Sequence, residues 1–373
     1  MAEWYEGEDR TSFGETAARY AARVILRFKP EAQIERATPA EFDWDLVRLA
    51  DEAGFRMAPL SEELGGANLD GLGRMVVIER MARGLAGPAA LLAAHWAGLS
   101  ALSGQSRKDV KTWLSELGPN SGERPRLCGL AIPAVVVSET RAEKAALARG
   151  PASLKLTGDF ICPLHPALCD RVLMVVEGVG DQAALIWECG AELSEHCREI
   201  YPGTGLLDLP LSGMELSGLE LPAQSLLASG QEASVLAKSL RQELYLGLAS
   251  AMVGNSASAA DDAWNYAKER VQTGRLIIEH QEVRRMLESM KIMVEAARAM
   301  VFAAAGLTSE DALERSRRAF TFAGSACETV CLDAIQVLGG YGYMKDYGLE
   351  RRLRDTKTIQ GLFGTYALDF LGA

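Results

Sequence analysis

The stretch AIQVLGGYGY at residues 334–343, continued by YGLERRLRDTK at residues 347–357, marks the end of one helix and the start of another. Apolar residues recur every three or four positions over about residues 309–338, which is the pattern of an amphipathic helix. The pair Gly339-Gly340 supplies a helix stop, and we expect a shorter helix over about residues 346–361. The stretch therefore predicts two helices joined by a glycine turn.

The same apolar spacing continues upstream and predicts two further long helices, over about residues 232–275 and 281–305, with Gly306 as a stop. None of the 13 prolines lies after Pro222. Because a proline in a helix interior costs about 3 kcal/mol, this distribution permits long helices. Antiparallel helices with short connections make a bundle, so we expect a C-terminal four-helix bundle over residues 229–373.

The rest of the chain predicts two other domains, which makes the fold mainly α with a central β domain. An N-terminal helical domain over residues 1–122 contains stretches with helical patterning at about residues 42–50, 70–83 and 88–102. A middle β domain over residues 123–228 contains short apolar runs typical of strands at residues 131–137, 173–176 and 183–187.

Composition excludes several classes of function. The chain has 373 residues and a formal net charge of −11, which argues against a general nucleic-acid binder because such proteins need basic surface. The longest uncharged run, residues 84–106, contains Pro88, His95 and several polar residues, so we expect a buried helix and no membrane span. The acidic N-terminus MAEWYE lacks an apolar core. It predicts no secretory signal and a cytoplasmic protein.

The cysteines and histidines predict no metal site. Seven cysteines, an odd number, are scattered along the chain and are expected to be reduced thiols. Cys327 and Cys331 can share one helix face, but no CxxC or HxxxH pair accompanies them. The four histidines form no motif, and we expect packed or surface residues rather than catalysts at His95, His165, His196 and His280.

Three more segments accompany the glycine-turn stretch: EELGG at residues 62–66, YAKERVQTGR at residues 266–275 and HQEV at residues 280–283. In this order along the chain, the four resemble the motifs of the acyl-CoA dehydrogenase family, and the resemblance covers most of the sequence. It implies an N-terminal helical domain, a small middle β-barrel or β-sandwich, and a C-terminal four-helix bundle.

The resemblance also implies chemistry for which this chain lacks a usual residue. Family enzymes oxidise an acyl-CoA to the 2,3-enoyl-CoA; a carboxylate removes the α-proton and a hydride passes to FAD. Where a glutamate is common in the family, this chain has Phe363, which accepts no proton, so we expect no catalytic residue here. The base position of other members falls on Leu244, followed by Tyr245 where an arginine is usual. Glu243 lies about 100° away around a helix, and we expect a surface glutamate there rather than a shifted base.

Departures from the family also occur in the middle domain. The family has Thr/Ser-Glu-Pro and Trp-Ile-Thr segments that contact the flavin, whereas this chain has AIP at residues 131–133 and CPL at residues 162–164. The family's Gly-Ser-Asp has no equivalent near residues 135–139. Proline and leucine at residues 163–164 remove donors that a flavin would use.

The better-kept positions are those that, in the family, reach across the dimer to the adenosine diphosphate half of the neighbouring subunit's FAD. They are expected to bind the cofactor here and are Arg270, Gln272, Thr273, Gln336, Gly339 and Gly340. Arginine suits pyrophosphate because its hydrogen bonds are bidentate and charge-assisted, and glycine lets the backbone approach closely. Thr273 stands where a phenylalanine is usual.

The resemblance therefore implies a non-catalytic subunit that completes the FAD site of a homologous acyl-CoA dehydrogenase subunit, in an α₂β₂ heterotetramer. It further implies an acyl-CoA substrate, with steroid side chains as the class associated with such heteromers, and an electron-transfer flavoprotein as the acceptor. Two alternatives stay open: an independently active flavoenzyme with a non-standard base, and a flavin-free scaffold or binding subunit.

Overall fold

The structure is a computed structural model. It describes residues 8–27, 36–118, 124–133, 146–150, 152–176, 183–199, 205–309 and 311–368, without the side chains of residues 8, 9, 199 and 362–368. Some predicted features lie outside this description: the N-terminal residues 1–6, the domain boundary between residues 122 and 123, residues 134–139, and the side chain of Phe363.

The N-terminal part of the described chain is helical, with α1 (Glu8–Arg27), α2 (Asp45–Glu52), α3 (Gly71–Ala82), α4 (Ala86–Ser103) and α5 (Lys108–Ser115). The helices α2, α3 and α4 confirm the three predicted ones, although α2 begins at Asp45 rather than near residue 42. The helices α1 and α5 were not predicted. In α1 the signal was present, because Ala17, Tyr20 and Val24 are buried at helical spacing.

The middle part forms one mixed sheet. Its strands are β1 (Cys128–Pro133), β2 (Ala146–Arg149), β3 (Ser153–Cys162), β4 (Arg171–Val176), β5 (Ala184–Cys189), β6 (Cys197–Glu199), β7 (Ser212–Pro222) and β8 (Leu226–Ser229), with the short helix α6 (Gly190–Leu193). The order is β6-β7-β3-β1-β4-β5-β8, and β2 pairs with β3. The strands β1 and β4 run parallel, and the other neighbours are antiparallel. The sheet confirms the predicted central β domain.

The C-terminal part is the predicted four-helix bundle of α7 (Gly230–Glu269), α8 (Gln281–Ala305), α9 (Ala312–Leu338) and α10 (Leu349–Leu368). Helix α9 packs against the other three. The predicted end of α7 near residue 275 is wrong, because the chain becomes extended at Arg270, with φ −77° and ψ 124°. A short hairpin follows, formed by β9 (Val271–Gln272) and β10 (Arg275–Leu276).

Small residues let α7 lie directly on the N-terminal helices. A β-carbon on Gly247 would come within 2.7 Å of the Ala93 side chain on α4. A β-carbon on Gly254 would come within 2.0 Å of the Glu79 carbonyl oxygen on α3. Almost all of α4 is buried, which confirms that the uncharged run is a buried helix. Among the described residues, no helix is long and apolar enough to cross a membrane.

Candidate functional site

A groove with a volume of about 750 Å³ lies where the end of α7, the β9–β10 hairpin, the start of α8 and the end of α9 meet. The bundle brings together there all six residues that the sequence predicted as cofactor-binding: Arg270, Gln272, Thr273, Gln336, Gly339 and Gly340. Apolar side chains that include Ile277, Val283 and Met286 complete the lining. The geometry therefore assembles the predicted set into one place.

The charges around the groove favour an anionic ligand. None of its described lining residues is an aspartate or a glutamate, although the chain carries a net charge of −11. The Nε of Arg270 is buried without a hydrogen-bond partner, and its guanidinium carbon lies 5.8 Å from the centre of the Tyr341 ring. No carboxylate among the described residues pairs with Arg270. Because an unpaired buried donor costs about 1–3 kcal/mol, this side chain is suited to an anion that supplies the missing acceptor.

The hairpin fixes the position of Arg270 and Thr273. The backbone N–H of Ile277 donates to the carbonyl oxygen of Arg270 at 2.8 Å, which closes the turn onto α7. Thr273 and Gly274 have φ values of 51° and 82°, and a two-residue type I′ turn requires positive φ at both positions. A β-branched residue in this conformation is strained, so the pairing of the two strands imposes it.

The glycine turn after α9 forms another edge of the groove. Gly339 has φ 60° and ψ −130°, a conformation that residues with a β-carbon rarely adopt. A β-carbon on Gly339 or Gly340 would meet no atom within 4 Å. The backbone at both glycines therefore borders open space, where a ligand can approach it closely.

Three groove residues whose side chains can form hydrogen bonds were missed by the sequence prediction. His280 lines the groove as the residue before α8. The available signal was its place in the segment HQEV, which resembles a family motif that begins with Phe-Gln. Tyr266 and Tyr341 also line it, and their rings are 6.2 Å apart. Tyr347 packs against both rings at 6.5 and 5.4 Å, so the groove has an aromatic wall.

Comparisons with known proteins agree with this order of motifs. Residues 7–117 match the family model described as acyl-CoA dehydrogenase, N-terminal domain. Residues 242–369 match the model described as acyl-CoA dehydrogenase, C-terminal domain. The chain belongs to the acyl-CoA dehydrogenase family. Proteins of this family are FAD-dependent oxidoreductases.

Similar proteins include an acyl-CoA dehydrogenase of Bacillus subtilis, which is 28% identical over 349 residues, with 90% of each chain covered. A subunit of the caffeyl-CoA reductase-Etf complex of Acetobacterium woodii is 32% identical over 163 residues, 43% of each chain. The solved structure of butyryl-CoA dehydrogenase from Megasphaera elsdenii superimposes with a TM-score of 0.81 at 19% identity, covering 98% of this chain and 97% of that chain. This likeness shows the fold.

Glu243 is not the surface residue that the sequence predicted for this member of the acyl-CoA dehydrogenase family. It is buried on α7, and its carboxylate oxygens accept hydrogen bonds from Arg74 Nε at 2.6 Å and Nη2 at 2.9 Å. Burial alone would lower the pKa of Arg74, but the Glu243 carboxylate, together with the charge of Asp70, outweighs it and the pKa is raised. The sequence missed this ion pair because its partners are 169 positions apart.

The neighbouring positions are also packed. Leu244 and Tyr245 are buried, and the Tyr245 ring lies 5.4 Å from the ring of Phe320 on α9. Glu243 lies in a separate cavity between α3, α7 and the α8–α9 connection, and none of the six predicted cofactor-binding residues lines that cavity. The structure therefore separates Glu243 from the groove.

The middle-domain segment that differs from the family is buried. Cys162, Pro163 and Leu164 are all buried. The chain then continues through His165, whose N–H donates to the carbonyl oxygen of Pro210 at 2.7 Å. Proline has no N–H and leucine no hydroxyl, so this segment presents fewer donors than the family's Trp-Ile-Thr.

Asp355, in the stretch at residues 347–357, has a structural role. It accepts a hydrogen bond from the backbone N–H of Leu206 at 2.6 Å, and its neighbour Arg351 donates to Asp208 at 3.1 Å. Burial raises the pKa of Asp355 to about 6, against the opposing effect of Arg351. Arg351 and Asp355 therefore bind α10 to the segment that precedes β7.

The cysteines are all free thiols, as predicted. Cys327 and Cys331 are buried in α9, and burial raises the pKa of each thiol to about 12. Thiols with such values are inert at neutral pH. In the part of the chain that the structure describes, no group of three or more histidine, cysteine, aspartate or glutamate side chains could hold a metal ion.

Proposed function

We propose that this chain is the non-catalytic subunit of a hetero-oligomeric, FAD-dependent acyl-CoA dehydrogenase. Its groove receives the adenosine diphosphate half of the FAD that a homologous partner subunit holds. The unpaired Arg270 carries the proposal, because its buried Nε lacks an acceptor and the described groove lining contains no carboxylate. The open backbone at Gly339 and Gly340 supports close approach of a ligand at the same place.

The residues at the two usual base positions support a non-catalytic role. Phe363 occupies the usual glutamate position, and the alternative position is Leu244, which is buried and apolar. Glu243 is held by two hydrogen bonds from Arg74, so removing a proton from a substrate would require breaking that pair. A carboxylate serves as a general base only when it can reach the proton it abstracts.

The middle domain supports the view that the flavin ring belongs to the partner. Buried Cys162, Pro163 and Leu164 take the place of residues that contact flavin in the family. The two sets of observations point in opposite directions: the groove that we propose for the dinucleotide's adenosine end holds all six expected residues, and the donors expected for its ring are reduced. A subunit that shares FAD across an interface accounts for both.

The proposed assembly contains two copies of each chain (α₂β₂), with the partner supplying the base and the flavin pocket. We propose an acyl-CoA with a bulky acyl group, of the steroid side-chain class, as substrate and an electron-transfer flavoprotein as electron acceptor. The likeness to a subunit of an Etf-linked complex supports the acceptor. The seven free cysteines suit a reducing compartment, and we propose the cytoplasm. We also propose domain boundaries after residues 122 and 228.

The experiment is a reconstitution with a homologous acyl-CoA dehydrogenase chain that has the glutamate and flavin-pocket motifs. Acyl-CoA-dependent reduction of an acceptor dye is measured for that partner alone, with this chain, and with its Arg270→Gln variant. We expect turnover to require this chain, and the variant to need at least about tenfold more FAD for half-maximal rate, since a hydrogen bond to a charged group contributes about 1.5–3 kcal/mol. Equal FAD dependence of the wild type and Arg270→Gln would contradict the proposal.

A further inference from the structure

A cluster of buried charges lies between α10 and the segment that precedes β7. It consists of Asp208, Arg351 and Asp355, whose side chains have exposed fractions of 0%, 6% and 3%. Arg351 Nη2 donates to Asp208 Oδ1 at 3.1 Å. Arg351 Nε lies 3.7 Å from Asp355 Oδ2, which is too far for a hydrogen bond. None of the three residues lines the groove, so this buried charge cluster is separate from the candidate site.

The cluster is part of a joint, which is formed by residues 205–209 and α10. The backbone N–H of Leu206 donates to Asp355 Oδ1 at 2.6 Å. In addition, Arg36 donates to three carbonyl oxygens of the segment at 2.8, 2.8 and 2.9 Å. Leu206 has φ 51°, a left-handed conformation that is strained for a residue with a β-carbon. The joint therefore holds its segment against local strain.

The charges of the cluster do not balance when both carboxylates are ionised. Two carboxylates then share one guanidinium, which leaves an excess of one negative charge among side chains that water hardly reaches. A buried charge without a partner is unfavourable, and a carboxyl group in such a place takes up a proton instead. Asp208 Oδ2 is a buried acceptor without a hydrogen-bond partner, and the Nε and Nη1 donors of Arg351 have none either. A partly satisfied network of this kind stabilises the joint only weakly.

Other charged or titratable groups act on the cluster from the elements around it. They are Arg352 and Arg354 on α10, Arg36 before α2 and Cys331 on α9, which act on Asp355, and Tyr20 on α1, which lies within reach of the Asp208 charge. Arg354 forms two hydrogen bonds with the Glu350 carboxylate. Burial, together with the charge of Asp208, raises the pKa of Asp355 to about 6 against the opposing charge of Arg351.

We propose that the buried charge cluster makes the joint sensitive to pH. Uptake of one proton by its carboxylates leaves one carboxylate for one guanidinium, which strengthens the attachment of residues 205–209 to α10. Loss of that proton restores the excess negative charge and loosens the attachment. The device belongs to the fold of this chain and goes beyond the proposed function, because it needs neither FAD nor a partner subunit.

The direction and size of the effect follow from the number of protons that each state binds. In the attached state the pKa of Asp355 is about 6, and an aspartate exposed by opening of the joint returns to its ordinary value of 3.8. Between these two values the attached state binds more protons, so the attachment strengthens as the pH falls. From pH 7.5 to pH 5, the population of the open joint should decrease about tenfold.

Hydrogen exchange followed by mass spectrometry on the full chain measures this opening. Backbone amides in residues 349–361 of α10 exchange when the joint opens. Helix α8 is the internal reference, because it contributes no residue to the cluster. The intrinsic rate of exchange depends on pH in the same way for both helices, so this dependence cancels in their ratio. We expect exchange of α10 relative to α8 to decrease about tenfold from pH 7.5 to pH 5 in the wild type.

Three variants identify the groups that are responsible. Asp355→Asn keeps a side-chain oxygen that can accept from Leu206 but cannot ionise, so we expect the dependence on pH to disappear. Asp208→Asn removes the excess charge, and we expect the tenfold response to shrink below about threefold. Glu328→Gln is the matched control, because it removes a partly exposed carboxylate that pairs with Lys357 on α10 at 3.0 Å, outside the cluster. This control should keep the full response.

The outcomes separate the joint from other effects of pH. A ratio of α10 to α8 exchange that is the same at both pH values in the wild type would overturn the proposal, whether α10 fails to respond or α8 responds equally. A full response in Asp355→Asn would overturn it as well, since the proton would then bind elsewhere. A tenfold decrease in the wild type that is lost in Asp355→Asn and kept in Glu328→Gln is the result that we expect.

Discussion

The ion pair between Arg74 and Glu243 offers the sharpest test of whether this chain has a base. Both side chains are largely buried, with exposed fractions of 16% and 11%, and two hydrogen bonds join them. Glu243→Gln leaves the Arg74 guanidinium buried with a neutral partner. Breaking a fully buried pair costs about 3–5 kcal/mol, and the residual exposure lowers this to about 2–3 kcal/mol.

This loss of stability corresponds to a measurable decrease in the melting temperature. Unfolding entropy of about 2.1 cal/mol/K per residue, applied to a chain of 373 residues, gives a melting-temperature decrease of about 3 °C if the chain unfolds as one unit. Differential scanning calorimetry measures this change. Arg74→Gln should lose a similar amount, and the Arg74→Gln/Glu243→Gln double variant should lose less than the sum, because it leaves no buried charge.

Activity separates the two roles of Glu243. In the reconstituted complex, at a temperature well below melting, we expect Glu243→Gln to turn over at nearly the wild-type rate. A general base contributes about 10²–10⁴-fold to a rate. A loss of that size with an unchanged melting temperature would refute the reasoning and identify Glu243 as the base.

Three further predictions concern single positions. Burial, with help from the nearby Arg56 charge, lowers the pKa of His95 to about 3, so the folded state stays neutral while the unfolded state binds a proton below pH 6.5. The free energy of unfolding therefore decreases as the pH falls. In denaturant titrations between pH 7.5 and 5, the free energy of unfolding of His95→Asn should decrease by about 2 kcal/mol less than that of the wild type. Gly254→Ala places a methyl group against a backbone carbonyl of α3 and should destabilise the chain by at least about 2 kcal/mol, whereas Gly306→Ala, which meets no atom within 4 Å, should change stability little; similar urea midpoints for both would contradict the close helix packing. Gly339→Ala should cost about 1–3 kcal/mol because of its positive φ, while Gly340→Ala, which has open space around it, serves as the neutral control in the same thermal melts.

Periodicity was sufficient for α8 and α9, because burial of one face repeats along each of them, whereas the middle of α7 is buried on all sides. The short apolar runs in turn indicated the strands of the sheet. The kinds of element were therefore predictable, whereas the residues at which they end were less so. The prediction that α7 extends to residue 275 was wrong, because VQTGR contains no proline or Asn-Gly that would indicate a turn. The hairpin there depends on strand pairing, which local propensity does not describe.

In the candidate site, too, some residues were predictable from local sequence and others were not. Arg270 and Gln336 were found through motifs, since each belongs to a recognisable segment. The ion pair of Glu243 was missed because its partner lies 169 positions away, and no local pattern indicates such a contact. His280 was dismissed because a lone histidine carries no signal until its neighbours in space are known. Contacts between distant segments are the part that a single sequence leaves out.

The most direct test of the shared cofactor is the flavin absorbance of the purified chain, alone and co-expressed with its homologous partner. We expect a colourless chain alone and a yellow complex with about one FAD per pair of unlike chains. We also expect Arg270→Gln to lower the FAD content of the complex, since Arg270 is a cation with no carboxylate partner among the described residues of the groove. Stoichiometric FAD in the isolated chain would contradict the account and show that this subunit holds a flavin of its own.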